Sequence, residues 1–278
     1  MNRRDINFYN LSAAETLTEP ARKLLREYAG IPDEEINNHV DAIRKKAFAV
    51  APYPCVGMFQ FLDLSLVQQT PIYRSILERV RAGAKFLDLG CCLGQEIRQL
   101  VHDGAPSANT FGSDLYGGFF AVGYDLFADE SRLETKFIAA DVFDDASPLM
   151  ELRGQMDIIY TGAFFHLFSL KEQEQIAERV VQLLAPQAGS MVVGRQSGSE
   201  EAGEFSRAGD KSGRSHFRHN SESWRELWKR VGERTGTEWV VEADLSAPEY
   251  TLAAPGGKSA AIQDKMTARG LRYVVKRL

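Results

Sequence analysis

The stretch Phe86-Leu-Asp-Leu-Gly-Cys-Cys-Leu-Gly94 decides the fold of this chain. Its apolar start predicts a buried strand that ends in the acidic residue Asp88, and a glycine-rich turn then opens a helix. Gly90 permits a tight turn and a close approach of the backbone to a ligand, while Gly94 lets helix and strand pack closely. Doubly wound α/β sheets bind ligands at the carboxyl ends of their strands, so this turn predicts a binding site.

Short apolar runs alternate with helical stretches from residue 84 onward, which predicts repeated βα units and a mostly parallel sheet. The predicted strands are Lys85–Leu89, Thr110–Asp114, Thr135–Ala140, Asp157–Thr161, Ser190–Arg195, Glu238–Ala243 and Leu271–Lys276. The last two are joined without a strong crossover helix, so we expect the final strand to be antiparallel. The predicted fold is α/β, a Rossmann-like sheet of seven strands.

The chain before this sheet has helical patterns. Ser12 and Glu15 have capping-box spacing, and Gly30-Ile-Pro32 ends one helix before another begins. We therefore expect an N-terminal helical cap over residues 1–83 and one ligand-binding domain over residues 84–278. Within that domain Ser169 and Ser223 are predicted helix N-caps. The stretch 197–220 has no apolar period and is too long for a routine connection, which predicts a mobile loop.

Composition and charge exclude several classes of protein. Lys and Arg total 33 against 38 Asp and Glu, and the net charge of −5 argues against a duplex nucleic-acid binder. No apolar run approaches the ~20 residues of a membrane span, and the first residues lack the apolar stretch of a signal peptide. Three cysteines argue against a disulfide framework, and no spacing suggests a metal site. We expect a cytoplasmic protein with a small-molecule partner, and the cap is compatible with a homodimer.

Acidic residues end three successive predicted strands. Asp88 can bind an ammonium group directly or through water, whereas it would repel a phosphate. Asp114 follows Gly94 by about 20 residues, a place and spacing that suit the hydroxyls of a ribose. Asp141 can accept a hydrogen bond from an exocyclic amino group while Val142 packs on a purine. Ammonium, ribose and adenine together describe S-adenosylmethionine and not a nicotinamide dinucleotide.

The stretch 88–94 resembles motif I of the class I S-adenosylmethionine-dependent methyltransferases, and Asp114 and Asp141 match the ribose and adenine positions of that family. A closer resemblance is to fungal methyltransferases of meroterpenoid pathways (austinol and terretonin type), and its motifs are Pro52–Asp63, Leu87–Gln95, Gly112–Leu115 and Gly123–Phe127. This resemblance implies the class I methyltransferase sheet and the esterification of a carboxyl group on a lipophilic terpenoid. Cys92 departs from the broad family, which usually has a glycine there.

The resemblance also implies site residues. The expected cofactor-binding residues are Tyr53, Asp88, Gly90, Cys91, Gly94, Asp114, Leu115, Asp141 and Val142. The loop after the fourth predicted strand faces the transferred methyl group in this fold, and here it holds His166 as the candidate catalytic residue, an orienting group or a base. The candidate substrate-binding residues, which follow from their places in the chain, are Phe59, Phe164, Phe165, Arg195 and Arg218. For the two arginines the alternative is a solvated face. Simple core packing is the alternative for the aromatic residues, and for His166 among them.

Methyl transfer from a sulfonium is an in-line displacement, so the enzyme mainly supplies proximity and orientation, and S-adenosylhomocysteine is the product. A carboxylate, with a pKa near 4.3, is already ionised at neutral pH, whereas a phenol near 10 needs a general base. The sequence shows no clear pairing of a histidine with an acid, which favours a carboxylate. Methylation of a phenol, enol or amine, a non-catalytic cofactor-binding subunit and a nicotinamide-dependent oxidoreductase are the alternatives.

Overall fold

The structure is a computed structural model that describes residues 11–206, 215–248 and 269–278. The helices are α1 (Ala13–Thr16), α2 (Glu19–Glu27), α3 (Asp33–Val50), α4 (Pro54–Gly57), α5 (Thr70–Arg81), α6 (Gln95–His102), α7 (Gly118–Phe127), α8 (Leu170–Leu183) and α9 (Ser221–Thr235). The strands are β1 (Phe86–Leu89), β2 (Thr110–Asp114), β3 (Lys136–Ala139), β4 (Ile158–Gly162), β5 (Met191–Gly198), β6 (Gly203–Ser206), β7 (Ser215–Arg218), β8 (Trp239–Pro248) and β9 (Arg269–Arg277). The chain divides into two compact units, of which the first ends at Asp141 and the second begins at Val142.

The N-terminal part of the first unit is helical. Ser12 and Glu15 form the predicted capping box, which satisfies backbone donors at the start of α1. In α3 the apolar residues recur at helical spacing and are buried on one face, which packs against α7. Those residues are Ile36, Val40, Ile43 and Ala47. Helices α1 to α4 therefore share one hydrophobic core with α7.

Strands β1, β2 and β3 of the first unit are parallel. Phe86 pairs with Thr110, and Phe111 pairs with Lys136. Every residue of β1 is buried, as expected for a central parallel strand that is covered on both faces. This arrangement brings the turn after β1 next to the carboxyl end of β2.

In the second unit β4 is parallel to β5, and β9 is antiparallel to both β5 and β8. The strand order of the sheet is β3-β2-β1-β4-β5-β9-β8. The predicted seven-stranded, mostly parallel sheet with an antiparallel last strand is confirmed. Within the described ranges no helix has both the length and the apolar character needed to cross a bilayer.

Two predictions about the second unit need correction. The stretch 197–220 contains regular structure, because β6 and β7 form a separate antiparallel hairpin. Residues 207–214 of that stretch lie outside the described residues. Helix α9 begins three residues earlier than predicted, because Asn220 is its N-cap and accepts a hydrogen bond from the Ser223 N–H. Asparagine is as good an N-cap as serine, so the side-chain chemistry alone did not separate the two positions.

Candidate cofactor and substrate sites

The glycine-rich turn after β1 is held against the end of β2 by backbone hydrogen bonds. The N–H groups of Gly90 and Cys91 donate to the Ser113 carbonyl over 2.8 and 3.0 Å. Gly90 and Gly94 have φ angles of 84° and 72°, which glycine adopts without strain. Cys92 also has a positive φ, 50°, a conformation that is uncommon for a residue with a side chain.

Asp114 lies at the carboxyl end of β2, where its carboxylate is held by two backbone donors. Cys92 N–H donates to Oδ2 over 2.9 Å, and Tyr116 N–H donates to Oδ1 over 3.2 Å. Burial raises the pKa of Asp114, and the backbone donors act against that shift. A carboxylate oxygen has room for a further donor, so the side chain can receive hydroxyl groups of a ligand.

Asp88 is a deeply buried acidic group of this region. It lies inside β1 and not at its end, and it is only 2% exposed. Its Oδ2 has no hydrogen-bond partner among the described residues. Burial, and to a lesser degree the charges of Glu96 and Asp114, raise its pKa well above the ordinary value. A cationic ligand group beside it would supply the charge that the protein leaves uncompensated.

An apolar surface adjoins Asp114. Leu115 is 54% exposed, and the half-exposed rings of Tyr53 and Tyr116 meet edge to face with centroids 6.0 Å apart. Tyr53 also lies 6.3 Å from the ring of Phe119. Sequence reasoning did not single out Tyr116, although its position two residues after Asp114 was a usable signal. These side chains offer exposed apolar and aromatic area of the kind against which a purine packs.

The remaining predicted cofactor residues divide between the two units. Cys91 is buried, and its Sγ lies 3.0 Å from where a Cβ on Gly112 would be. Burial raises the pKa of the Cys91 thiol, which disfavours the reactive thiolate form. Asp141 follows β3 by two residues and is exposed. Val142 belongs to the second unit, where it is buried and its carbonyl accepts from Nε of Arg179 over 3.2 Å.

In the second unit the loop after β4 turns sharply and carries an aromatic cluster. Ala163 has a φ of 53°, and its N–H donates to the Arg195 carbonyl over 2.7 Å. Phe168 lies between Phe143 and Phe164, with ring centroids 5.5 and 5.3 Å away. We call Phe143, Phe164 and Phe168 the aromatic cluster. His166 is half-buried in the short 3₁₀ helix Phe165–Leu167 beside it.

The β6–β7 hairpin docks on this loop. Phe217 N–H donates to the Phe168 carbonyl over 2.9 Å, and Nδ1 of His216 lies 2.7 Å from the Leu167 carbonyl. Gln173 strengthens the junction, because its Nε2 donates to the carbonyls of both Phe168 and Phe217. The structure therefore brings together the two predicted substrate-binding segments, one with His166 and one with Arg218.

Two predicted substrate residues lie in the core. Phe59 is 1% exposed, and the guanidinium of Arg44 lies 4.4 Å from its ring centroid. Phe165 is fully buried, with its ring 5.2 Å from that of Trp224. Both side chains are buried in the core of this structure, which favours the alternative of simple core packing for them. Arg195 and Arg218 are half-buried, and the Arg218 guanidinium lies 4.7 Å over the ring of Phe205.

The first unit thus combines a buried carboxylate whose Oδ2 has no hydrogen-bond partner among the described residues, a glycine-rich turn, a second carboxylate and an apolar surface. These groups fit a ligand that joins a cation, vicinal hydroxyls and a flat ring. Among the described residues no group of three or more His, Cys, Asp or Glu side chains is arranged to hold a metal ion.

Known proteins resemble this chain in sequence. Residues 8–62 match the family model described as the meroterpenoid methyltransferase N-terminal domain. The O-methyltransferase phiE of a fungal species is 40% identical over 99% of this chain and 94% of its own length. The asnovolin E/chermesin D methyltransferase nvfJ of Aspergillus novofumigatus is 48% identical over 82% of this chain and 81% of its own length.

A solved structure matches in fold. A phosphoethanolamine N-methyltransferase of Haemonchus contortus, solved with phosphomonomethylethanolamine and S-adenosylhomocysteine, superposes with a TM-score of 0.50. It is 15% identical to this chain and covers 70% of it and 48% of its own length. At that identity the match concerns the fold alone.

Proposed function

This chain belongs to the family of fungal meroterpenoid methyltransferases, and we propose that it forms a methyl ester on a carboxylic acid of a lipophilic secondary metabolite. It is a methyltransferase, and its cofactor is S-adenosylmethionine. The observation that carries the proposal is the 40% identity to an O-methyltransferase along 99% of the chain. Side chains of the second unit support a carboxylate, and not a phenol or an enol, as the group that receives the methyl.

The first unit provides the groups that would hold the cofactor. Asp88 would bind the ammonium end, Asp114 the ribose hydroxyls, and Leu115 with Tyr53 the adenine face. Asp141 is the proposed acceptor for the adenine amino group. When bound, the cofactor supplies an electrophilic methyl group, so the protein has to orient a nucleophile and to exclude water.

The second unit provides groups suited to a lipophilic acid. The aromatic cluster offers apolar area, with Phe143 38% exposed, and the adjoining Leu167 is 41% exposed. Arg195, Arg218 and His166 are the proposed donors that orient the carboxylate. Because a carboxylate is ionised at neutral pH, His166 needs only to donate a hydrogen bond and not to remove a proton. A phenol would need His166 as a base, and this is the second candidate function.

Isotopic labelling tests the proposal. The protein is incubated with S-adenosylmethionine carrying a ¹³C-methyl group and with one of three probes: a terpenoid carboxylic acid, its primary alcohol or a phenol of similar size. We expect label in the acid only, and mild alkali should release it as methanol, because esters hydrolyse whereas ethers and N-methyl groups do not. Alkali-stable label would overturn ester formation. Label in none of the probes, together with cofactor binding, would favour a non-catalytic subunit.

The pH profile separates the two oxygen nucleophiles. For a carboxylate we expect kcat to be level above about pH 6, because the acid has a pKa near 4.3. A rate that falls tenfold per unit below pH 7–8 would show that a proton has to be removed first. That outcome would favour the phenol or enol.

Several broader features stay predictions. The cap over 1–83 and the catalytic domain over 84–278 remain our proposed division. A small-molecule substrate in preference to nucleic acid is supported by the net charge of −5, and a cytoplasmic location by three cysteines that are all free thiols. A homodimer is the proposed assembly, and sedimentation of the purified protein tests it.

A further inference from the structure

Arg98 of α6 is a fully buried cation in the first unit. Its Nε and Nη2 donate to the two carboxylate oxygens of Asp129 over 2.8 and 3.0 Å, and neither side chain is exposed. The bidentate geometry fixes the plane of the guanidinium. A buried ion pair adds little net stability over an apolar pair of similar size, so stability alone is a weak reason for it.

The third nitrogen of Arg98 reaches the glycine-rich turn. Nη1 donates to the Leu93 carbonyl over 2.7 Å, and the Gly94 N–H of the same peptide donates to the Cys91 carbonyl over 2.7 Å. Because a peptide is planar, these two bonds fix its orientation from both sides. A Cβ on Gly94 would lie 2.6 Å from Nη1 of Arg98, so the contact also requires glycine at that position.

Tyr28 extends the contact to the N-terminal helices. It follows α2, and its hydroxyl donates to Oδ2 of Asp129 over 2.8 Å. Arg132 donates to the Tyr28 carbonyl over 2.6 Å and lies 4.2 Å from the centroid of its ring. A continuous hydrogen-bonded path therefore runs from Tyr28 through Asp129 and Arg98 to Leu93.

We propose that Tyr28, Asp129 and Arg98 form a positioning chain through which the N-terminal helices set the cofactor affinity of the glycine-rich turn. None of the three is a catalytic residue, because each acts through the Leu93 peptide. The inference rests on the use of S-adenosylmethionine stated above. It predicts that a change at Tyr28, in the segment 8–62, alters binding at residues 90–94.

Calorimetric titration with S-adenosylhomocysteine tests the proposed positioning chain. Tyr28→Phe removes one hydroxyl, and we expect the Kd to rise roughly threefold to thirtyfold, with kcat at saturating cofactor within about twofold of wild type. Tyr73→Phe is the matched control. Tyr73 is a buried tyrosine whose hydroxyl donates to Asp103, at the opposite end of α6 from the turn. The control should lower Tm without changing the Kd.

A double-mutant cycle gives the second measurement. If Tyr28 acts through Arg98, Tyr28→Phe should change the Kd by less than about twofold in an Arg98→Lys background. Two outcomes would contradict the proposed positioning chain. One is an equal change in Kd for Tyr28→Phe and Tyr73→Phe, and the other is additive effects of Tyr28→Phe and Arg98→Lys on the Kd. If Arg98→Lys does not fold, the comparison of the two tyrosine variants decides alone. Failure of wild type to bind S-adenosylhomocysteine would instead contradict the cofactor assignment.

Discussion

The backbone N–H of Cys92 donates a hydrogen bond of 2.9 Å to Oδ2 of Asp114, 22 residues further along the chain. This bond joins the turn after β1 to the carboxyl end of β2. It holds Cys92 at its positive φ of 50°, where a side chain is normally disfavoured. Asp114 therefore has two roles, because it shapes the turn and offers its remaining acceptor sites to the cofactor.

Substitution of Asp114 separates these roles. Asp114→Asn keeps an acceptor for the Cys92 N–H but loses the charge, and we expect the Kd for S-adenosylhomocysteine to rise about tenfold. Asp114→Ala removes both, and a rise of about a hundredfold is expected, together with a lower Tm. Calorimetry and thermal unfolding measure the two effects. Equal Kd values for the two variants would show that the bond to Cys92 does not affect binding.

Asp88→Asn should stabilise the cofactor-free protein and weaken cofactor binding. The carboxylate is buried and its Oδ2 has no partner among the described residues, so removing its charge removes a desolvation cost. We expect Tm to rise by a few degrees at pH 7 and the Kd for S-adenosylhomocysteine to rise about tenfold. A lower Tm together with an unchanged Kd would contradict both the predicted stabilisation and the predicted weakening of cofactor binding.

The effect of Asp88→Asn on stability should depend on pH. The folded-state pKa of Asp88 is raised above its unfolded value, so the folded state binds more protons in the interval between the two. Wild-type stability should therefore fall as pH rises from about 4 through that interval. The advantage of Asp88→Asn over wild type should be smallest near pH 4 and should grow toward pH 7. Thermal unfolding of both proteins at a series of pH values measures the difference.

Most helices and strands were predictable because the sequence patterns that specify them are local. The apolar run, the acidic residue and the two glycines of 86–94 specify a strand, a turn and a helix start within nine residues. The capping boxes at Ser12 and Ser169 are local in the same sense, and both are present. Short apolar runs then predicted every strand of the seven-stranded sheet, with ends within three residues of those observed except in β8, which ends five residues later than predicted.

The features that were not predicted depend on contacts between residues that lie far apart in the sequence. The β6–β7 hairpin lacks an apolar pattern, and part of its support is the bond from Phe217 to Phe168, far away in sequence. Phe59 and Phe165 sit in aromatic-rich segments whether they face a ligand or the core, so composition did not distinguish the two. The role of Asp129 could not be predicted from the sequence for a similar reason. Its partners Arg98 and Tyr28 lie 31 and 101 residues away in the chain.

Arg218→Gln should weaken binding of the acid substrate selectively. If Arg218 pairs with the carboxylate, KM for the acid should rise about tenfold with little change in kcat, because the lost interaction is uniform between ground and transition states. Inhibition by the methyl ester product provides the control, since that product carries no charge. An equal loss of affinity for acid and ester would show that Arg218 only supports the hairpin through its contact with Phe205.

Gly123→Ala should destabilise the first unit. A Cβ at this position in α7 would lie 2.5 Å from the Leu93 carbonyl, a backbone atom that cannot move without distorting the glycine-rich turn. We expect a loss of about 1–3 kcal/mol in the free energy of unfolding and weaker cofactor binding. Gly203→Ala is the matched control, because nothing lies within 4 Å of its added Cβ. Equal stability of the two variants in urea would contradict this account.

His219 should make the protein sensitive to mild acid. Burial, with the nearby charge of Arg230, lowers the pKa of this histidine to about 3, whereas an unfolded histidine titrates near 6.5. Between these values the unfolded state binds the extra proton, so stability should fall as pH drops below 6.5, by at most about 1.4 kcal/mol per pH unit. His219→Gln should show a smaller loss of unfolding free energy between pH 7.5 and 5 than wild type. Identical losses of unfolding free energy in the two proteins would rule out His219 as the cause.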